Sequence, residues 1–156
     1  MLYMDKIRQR LSDLGYAIYD APAPVGSYVQ CVRTGNLLYL SGGISVNGDD
    51  KYFGKVGQEL TVEEGQAAAR AAILNRLAVI VQAVGSLEKV SRIVAVNGFL
   101  NAGPDFYDHP KVLNGASDLL VEAFGEIGRH SRTAVGVSAL PLNVAVEISM
   151  VVEVRD

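Results

Sequence analysis

Two charged side chains in the last quarter of the chain have types and spacing that suit joint chemistry. Arg132 stands at the start of one apolar segment, and Glu147 stands in the middle of the next. A guanidinium suits a forked grip on a planar anion, and a carboxylate inside an apolar strand is costly to bury unless it is paired or used. The pair indicates either a small-molecule carboxylate site or a structural ion pair, and the residue types leave both open.

The segments around these residues predict the closing strands of a β-sheet. Residues 131–154 form two Val-rich runs separated by a Leu-Pro-Leu-Asn turn at residues 140–143. This pattern is typical of two strands joined by a short connection. We therefore predict that the two strands are adjacent and that Arg132 and Glu147 lie within one hairpin.

The composition limits the class of protein. A chain of 156 residues predicts one domain, residues 1–156, that is large enough to bury a core. Charged residues make up 20% of it and the mean hydropathy is +0.21, which favours burial of some apolar surface against neighbouring subunits. The net charge of −3 and the pI of about 5.4 argue against a nucleic-acid partner, which requires concentrated positive charge.

Signals for export, membranes and metals are weak. The single cysteine, Cys31, allows no intramolecular disulfide and fits a reducing compartment. The N-terminus has no long apolar run, so we expect no signal peptide or membrane span and a cytoplasmic protein. The two histidines, His109 and His130, lack the spacing of metal ligands, so we expect no metal.

The first third of the chain predicts a short helix, an arm and two strands. Apolar spacing over residues 2–14 indicates an N-terminal helix, and the prolines of residues 20–27 indicate an extended arm. Residues 28–33 and 37–41 flank a Thr-Gly-Asn turn signal and are predicted strands. The polar, glycine-rich residues 42–57 are predicted to form a loop.

Two longer helices follow, with a strand between them. Thr61 and Glu64 match a capping box at the start of the first helix, and Gly85 supplies its end. Residues 89–99 are rich in Val and Ile and predict a strand. The second long helix is predicted to begin near Asp108.

The order of elements predicts a mixed α/β (α+β) fold. One mixed sheet would carry both long helices on one face, with the short N-terminal helix beside it. Residues expected to point outward from the sheet include Val135, Val137 and Val151, which are not polar. We therefore expect the open face of the sheet to be buried against other subunits.

Four segments, in order along the chain, resemble the RidA family, which is also called YjgF and was formerly labelled endoribonuclease L-PSP. Each motif alone is weak, but four with compatible spacing across residues 28–153 are specific. The segments are Val25-Gly-Ser-Tyr-Val-Gln30, Leu40-Ser-Gly-Gly-Ile44, Arg132-Thr-Ala-Val-Gly-Val-Ser-Ala-Leu-Pro141 and Val146-Glu-Ile148.

The resemblance implies a chorismate mutase-like fold, with a core at residues 25–155 and a helical extension at residues 1–20. It also implies a homotrimer whose ligand sites lie in clefts between subunits. Well-characterised members hydrolyse reactive enamines and imines, such as 2-aminoacrylate, to 2-keto acids and ammonia without a cofactor. We therefore expect a small-molecule carboxylate substrate and no cofactor.

The resemblance also implies a role for individual residues. Arg132 matches the carboxylate anchor, and Glu147 matches the residue that positions or activates water. Tyr28 matches the aromatic that closes the cleft, Gly42 the glycine whose backbone lines it, and Asn114 a polar residue of the second helix. Structural alternatives remain for each side chain: ion pairing for the two charges, interface packing for Tyr28 and a backbone hydrogen bond for Asn114.

The chain departs from the short deaminase members of this family at several positions. Apart from the added helix, it has a longer loop between Ser45 and Glu59. Ser149 stands where a second glutamate usually follows the first. His130 stands where proline is common and is either a cleft residue or a surface or capping histidine. Ala134 stands where cysteine is frequent, although a contact through its backbone would survive that change.

These observations leave three functions to compare. The first is an enamine/imine deaminase that uses Arg132 and Glu147. The second is a non-catalytic trimer that binds a 2-keto acid or similar metabolite in the same clefts, and the residues at Ser149 and His130 favour it. The third is the ribonuclease of the older family label, which the acidic composition disfavours.

Overall fold

The computed structural model describes residues 5–156, which form three α-helices, one five-stranded mixed sheet and a separate two-stranded sheet. The elements, in chain order, are α1 (Lys6–Asp13), β1 (Cys31–Thr34), β2 (Leu37–Ile44), β3 (Val46–Asn47), β4 (Asp50–Lys51), α2 (Val62–Val84), β5 (Val90–Asn101), α3 (His109–Phe124), β6 (Ser131–Val137) and β7 (Val146–Val154).

The large sheet has the strand order β1-β2-β7-β5-β6, and α2 and α3 pack against each other and against one face of it. The core lies between this face and the two helices, where alternate residues of β5 and β7 are buried, including Val96, Ile148 and Met150. The predicted mixed sheet with two long helices on one face and a short N-terminal helix is confirmed.

The prediction that the last two strands are adjacent is wrong. β5 lies between them, because β6 runs parallel to β5 with Arg132 opposite Val96, and β7 runs antiparallel to β5 with Glu147 opposite Phe99. A parallel pair needs a long crossover connection, and α3 supplies it between β5 and β6. The sequence indicates both strands but not the partner that each one takes.

The predicted loop at residues 42–57 is also wrong in its first part. Gly42 and Gly43 belong to β2, and the pairing of β2 with β7 shifts register between Leu40 and Gly43. The following residues form the β3–β4 hairpin, with Gly48 at a φ of +61° in its turn. The glycines thus mark a β-bulge rather than a break in the sheet. On the other side of β2, β1 begins at Cys31, so Tyr28 precedes the strand.

The N-terminal helix is shorter than predicted and is attached to the core. The Asp5 side chain accepts hydrogen bonds from the backbone N–H groups of Ile7 and Arg8, which caps α1, and also binds Ser86 Oγ. Leu11 of α1 is fully buried. Leu2, which the helix prediction also included, lies outside the described residues.

The start and end of α2 follow the sequence signals. Thr61 and Glu64 form the predicted capping box, and Gly85 ends the helix in the left-handed conformation. α2 is long and apolar enough to meet the length and composition criteria for a membrane span. Most of its apolar window is buried inside the protein, which is typical of a core helix.

The open face of the sheet carries exposed apolar side chains. Val135 is exposed, as are Tyr39 and Val94, while Val137 and Val151 are partly exposed. This agrees with the expectation that several side chains pointing outward from the sheet are apolar. Burial against other subunits stays a prediction.

Gly115 brings the two long helices together. A Cβ atom at this position would overlap the backbone carbonyl oxygen of Gln66 in α2. Backbone atoms cannot rotate away as a flexible side chain can, so this approach requires glycine even inside a helix.

We predict that Gly115→Ala destabilises the protein by about 1–3 kcal/mol, the usual range for overpacking, despite a gain of about 1 kcal/mol in helix propensity. Urea unfolding measures the difference. Asp118→Ala, at an exposed position of the same helix, is the control and should leave stability unchanged or slightly higher. A Gly115→Ala variant as stable as the control would contradict the close contact between the helices.

Candidate functional site

Arg132 lies on the edge strand β6 and points towards α3. It is in register with the buried Val96, so its side chain leaves the sheet on the helix face. Its Nη1 atom donates to Asn114 Oδ1 at 2.8 Å and to Ser117 Oγ at 3.1 Å. Within residues 5–156, no acceptor lies within hydrogen-bond distance of its Nε or Nη2. One edge of the guanidinium is therefore anchored and the other is unpaired.

His130 extends this cluster. Its Nε2 lies 2.9 Å from Ser117 Oγ, and its Nδ1 lies 2.7 Å from the carbonyl oxygen of Gly128. Burial lowers the pKa of His130 below its usual value of 6.5; the bond to Gly128 opposes this effect, and the nearby Arg132 charge adds to it. These effects favour the neutral ring of His130, which is a partly buried member of the cluster.

Ala134 lies two residues beyond Arg132 on the same face of β6. It is in register with Gly98 and packs against the core. The structure thus brings together four of the predicted site residues, namely Arg132, Asn114, His130 and Ala134, at the junction of β6 and α3.

Glu147 leaves β7 on the opposite face of the sheet. It is half-buried and lies opposite both Phe99 of β5 and Ile44 of β2. A Cβ atom at Gly42 would lie 2.7 Å from Glu147 Oε2. The missing side chain at Gly42 therefore leaves room for the carboxylate.

Tyr28 shares a cavity with these two residues. The side chain of Tyr28 is 46% exposed, and its hydroxyl accepts a hydrogen bond from the backbone N–H of Val25 at 3.4 Å. The cavity has a volume of about 420 Å³ and is also lined by the N-terminal arm and by Leu142. The predicted residues Tyr28, Gly42 and Glu147 therefore form a second group, separate from the Arg132 cluster.

The two groups do not meet within one chain. Glu147 lies two strands away from Arg132 and three residues farther along the sheet, which corresponds to roughly 14 Å between Cα atoms. The two side chains also point to opposite faces. A direct ion pair between Arg132 and Glu147 of the same chain is excluded.

Arg76 of α2 is a further charged residue of this region that the sequence analysis did not identify. Its side chain is 1% exposed and its guanidinium lies under Gly43, where a Cβ atom would overlap Nε. It donates to Asn75 Oδ1 at 2.6 Å and to the Ser41 carbonyl oxygen at 2.8 Å. The polar Asn75 beside it and the glycine in β2 are the signals that could have indicated a buried cation.

The environment of Arg76 is unusual for an arginine. No carboxylate of residues 5–156 lies within ion-pair distance of it. Burial lowers the pKa of Arg76 to about 10, while the nearby Tyr28 and Glu147 side chains act in the opposite direction. A buried cation thus lies behind the sheet at the point where Glu147 stands in front of it.

Other chemistry finds little support in the described residues. Residues 5–156 contain no group of three His, Cys, Asp or Glu side chains placed to hold a metal ion. Burial raises the pKa of the Cys31 thiol, which disfavours a reactive thiolate. The expected absence of a metal and a cofactor stays a prediction.

Comparisons with known proteins agree on one family. Residues 8–154 match the family described as "YjgF/chorismate_mutase-like, putative endoribonuclease". The chain is 42% identical over 153 residues to Protein TCP17 of Trypanosoma cruzi, covering 97% of this chain and 96% of that protein. It is 35% identical over 137 residues to a 2-iminobutanoate/2-iminopropanoate deaminase of Dermatophagoides farinae, covering 86% and 91%. A crystal structure from Shewanella oneidensis MR-1 matches with a TM-score of 0.91 at 37% identity, covering 96% of this chain and 100% of that one.

The lowered pKa of His130 predicts a pH-dependent stability. Because the pKa of His130 is lower in the folded state, this state binds fewer protons than the unfolded state. The contribution of His130 to stability is therefore complete above the usual pKa of 6.5 and is lost as the pH falls through the lower folded pKa. Between pH 7.5 and 5.5, the wild type should lose more stability in urea unfolding than His130→Gln does. His109→Gln replaces the other histidine and should keep the wild-type dependence. Equal losses of stability in the wild type and in His130→Gln would contradict the assignment of this pH dependence to His130.

Proposed function

The chain belongs to the RidA (YjgF) family, and from this premise we propose that it is an enamine/imine deaminase. Its substrates would be reactive enamines or imines derived from amino acids, of the 2-aminoacrylate type. Its products would be a 2-keto acid and ammonia. The active site would lie in a cleft between two copies of the chain, with Arg132 from one copy and Glu147 from the other.

The observation that carries this proposal is the half-anchored guanidinium of Arg132. Asn114 and Ser117 hold Nη1, while Nε and Nη2 have no acceptor among residues 5–156. These two atoms carry parallel N–H groups that match the two oxygens of a carboxylate. An arginine in this state is prepared to orient the carboxylate of an amino-acid-derived substrate.

The shared cleft follows from the opposite directions of the two groups. The cavity at Glu147 contains Arg76, but that guanidinium is buried and its described partners are neutral atoms of Asn75 and Ser41. The Arg132 cluster contains the guanidinium that can hold an anion, but no acidic side chain of residues 5–156 contacts that guanidinium. Each group supplies what the other lacks, and the exposed apolar face of the sheet supports association of copies. A trimer is the assembly that the family resemblance implies.

The chemistry needs few groups. Protonation of the terminal carbon of 2-aminoacrylate gives the iminium ion, and water adds to its carbon with loss of a proton to give the carbinolamine. The hydroxyl proton then passes to the nitrogen, and the C–N bond breaks to release ammonia and leave pyruvate. Glu147 would donate the first proton and accept one from the attacking water. Arg132 would fix the carboxylate, and Tyr28 and Gly42 would line the cleft. The substrate is already reactive, so positioning and one acid/base carboxylate suffice.

A binding protein without turnover is the second candidate. Ser149 lies two residues beyond Glu147 on the same face and bonds to Asn97, so this face of β7 presents a single carboxylate near the cavity. The same clefts could then hold a 2-keto acid without turnover. The ribonuclease activity of the older family label is not proposed, because a chain with a net charge of −3 has little attraction for a polyanion.

The test is release of keto acid and ammonia when 2-aminoacrylate is generated in situ. We predict that the wild type exceeds the uncatalysed rate and that Arg132→Ala loses at least about 100-fold in kcat/KM, because a charge-assisted bidentate contact contributes about 3 kcal/mol. Arg129→Ala is the matched control, since Arg129 is exposed and its one ion-pair partner among residues 5–156 is Glu126. Size-exclusion chromatography checks that all three proteins have the same assembly state.

A wild type no faster than buffer would contradict the deaminase proposal for this substrate. Stabilisation of the wild type by 2-oxobutanoate in a thermal melt, absent in Arg132→Ala, would then favour the binding protein.

A further inference from the structure

We propose that Ser117 and a neutral His130 form a relay that fixes Arg132, and that both are positioning residues of the carboxylate site. The relay runs from the Gly128 carbonyl through His130 and Ser117 to Nη1 of Arg132. This inference rests on the proposed function only in taking a carboxylate as the ligand. It does not depend on whether that ligand is turned over.

The direction of each hydrogen bond follows from the carbonyl at the end of the chain. The Gly128 oxygen can only accept, so the 2.7 Å contact places the proton of His130 on Nδ1. In a neutral imidazole, Nε2 is then an acceptor. The hydroxyl of Ser117, 2.9 Å away, therefore donates its single hydrogen to Nε2.

The next step fixes the guanidinium. With its hydrogen directed at His130, Ser117 Oγ presents lone pairs to Arg132 Nη1 at 3.1 Å. Asn114 Oδ1 accepts the other hydrogen of the same nitrogen at 2.8 Å. Both hydrogens of Nη1 are used, and the Nε and Nη2 edge is left for the ligand.

Such anchoring has a physical benefit for binding. A free arginine side chain has several rotatable bonds, and immobilising it on binding costs conformational entropy. Arg132 lies on an edge strand and is partly exposed, so the sheet alone does not fix its orientation. The relay, together with Asn114, orders the side chain before the ligand arrives.

The relay requires one tautomer of His130. Protonated His130 would donate from Nε2, so Ser117 would lose the acceptor for its hydrogen. Two positive groups would then share one hydroxyl. Burial and the Arg132 charge both lower the pKa of His130 and so favour the neutral ring.

Nitrogen-15 NMR of the imidazoles tests the tautomer directly. The chain has two histidines, so His109→Gln leaves one set of ring signals, from His130. We predict the neutral Nδ1–H tautomer at pH 7.5. A neutral Nε2–H tautomer or a charged ring at this pH would overturn the relay.

Binding of 2-oxobutanoate, a stable keto acid, tests the effect on Arg132. We expect Ser117→Ala to raise the dissociation constant about tenfold, which corresponds to about 1.4 kcal/mol for a hydrogen bond to a charged group. In turnover of 2-aminoacrylate, KM should rise similarly with kcat within about twofold, because the carboxylate is held equally in substrate and transition state. Ser12→Ala removes a serine from an exposed site on α1 and should change neither value.

A double-mutant cycle separates a relay from general structural support. His130→Phe keeps a ring of similar size but removes the acceptor for Ser117. If the two residues act through one path to Arg132, the double variant should bind the keto acid no more weakly than Ser117→Ala alone. Additive losses, or an unchanged dissociation constant in Ser117→Ala, would overturn the proposal.

These experiments distinguish a failure of the relay from a failure of the proposed deaminase function. Binding of keto acid by the wild type without turnover would reject the deaminase and leave the relay supported by its own results. Turnover with no effect of Ser117→Ala would reject the relay and leave the deaminase standing.

Discussion

The site depends on a stretch of β2 that has no side chains. Gly42 and Gly43 form a bulge with the Glu147 carboxylate in front of it and the Arg76 guanidinium behind it, and a Cβ atom on either glycine would meet one of these charges. The two opposite charges face each other across a single layer of backbone without an ion pair. Glu147 favours the charged form of Arg76, and the buried cation gives this part of the cavity a fixed positive centre.

The sheet also decides how the site must be completed. Neighbouring residues in register point to the same face, so the pairing of Arg132 with Val96 and of Glu147 with Phe99 sends the two side chains to opposite faces. Rotation of a side chain cannot reverse this. A second copy that brings its β6 edge to the cavity of the first would bring the two groups together, and the exposed Val135 and Tyr39 supply apolar surface for such a contact.

The sequence predicted the elements better than their arrangement. Local signals were sufficient for the capping box of α2, for Gly85 at its end and for both long helices, because these depend on neighbours within a few residues. The adjacent-strand prediction was wrong because strand pairing depends on long-range contacts, here the insertion of β5 between β6 and β7. In the sequence alone, Gly42 and Gly43 resemble a loop signal. Their role in β2 is apparent only once Glu147 and Arg76, which are distant in sequence, are known to lie on either side of them.

The site shows the same limit. The family resemblance indicated Arg132, Asn114 and Glu147, but not that they form two groups on opposite faces of the sheet. Ser117 gave no signal, since a serine on a helix is a common surface residue. Arg76 was marked only indirectly, by the polar Asn75 beside it and by Gly43 in β2. Their roles depend on Gly43 and His130, which are distant in sequence and meet them only in the folded chain.

The most direct test of the shared site is complementation between two inactive variants. Arg132→Ala and Glu147→Gln, co-expressed with different tags and purified through both tags, give mixed assemblies. A mixed trimer contains two copies of one variant and one copy of the other. In a cyclic trimer of either kind, one of the three clefts combines an intact Arg132 with an intact Glu147. About one third of the wild-type deaminase activity should therefore return. Mixed assemblies as inactive as the two parent variants would contradict a site built from two copies.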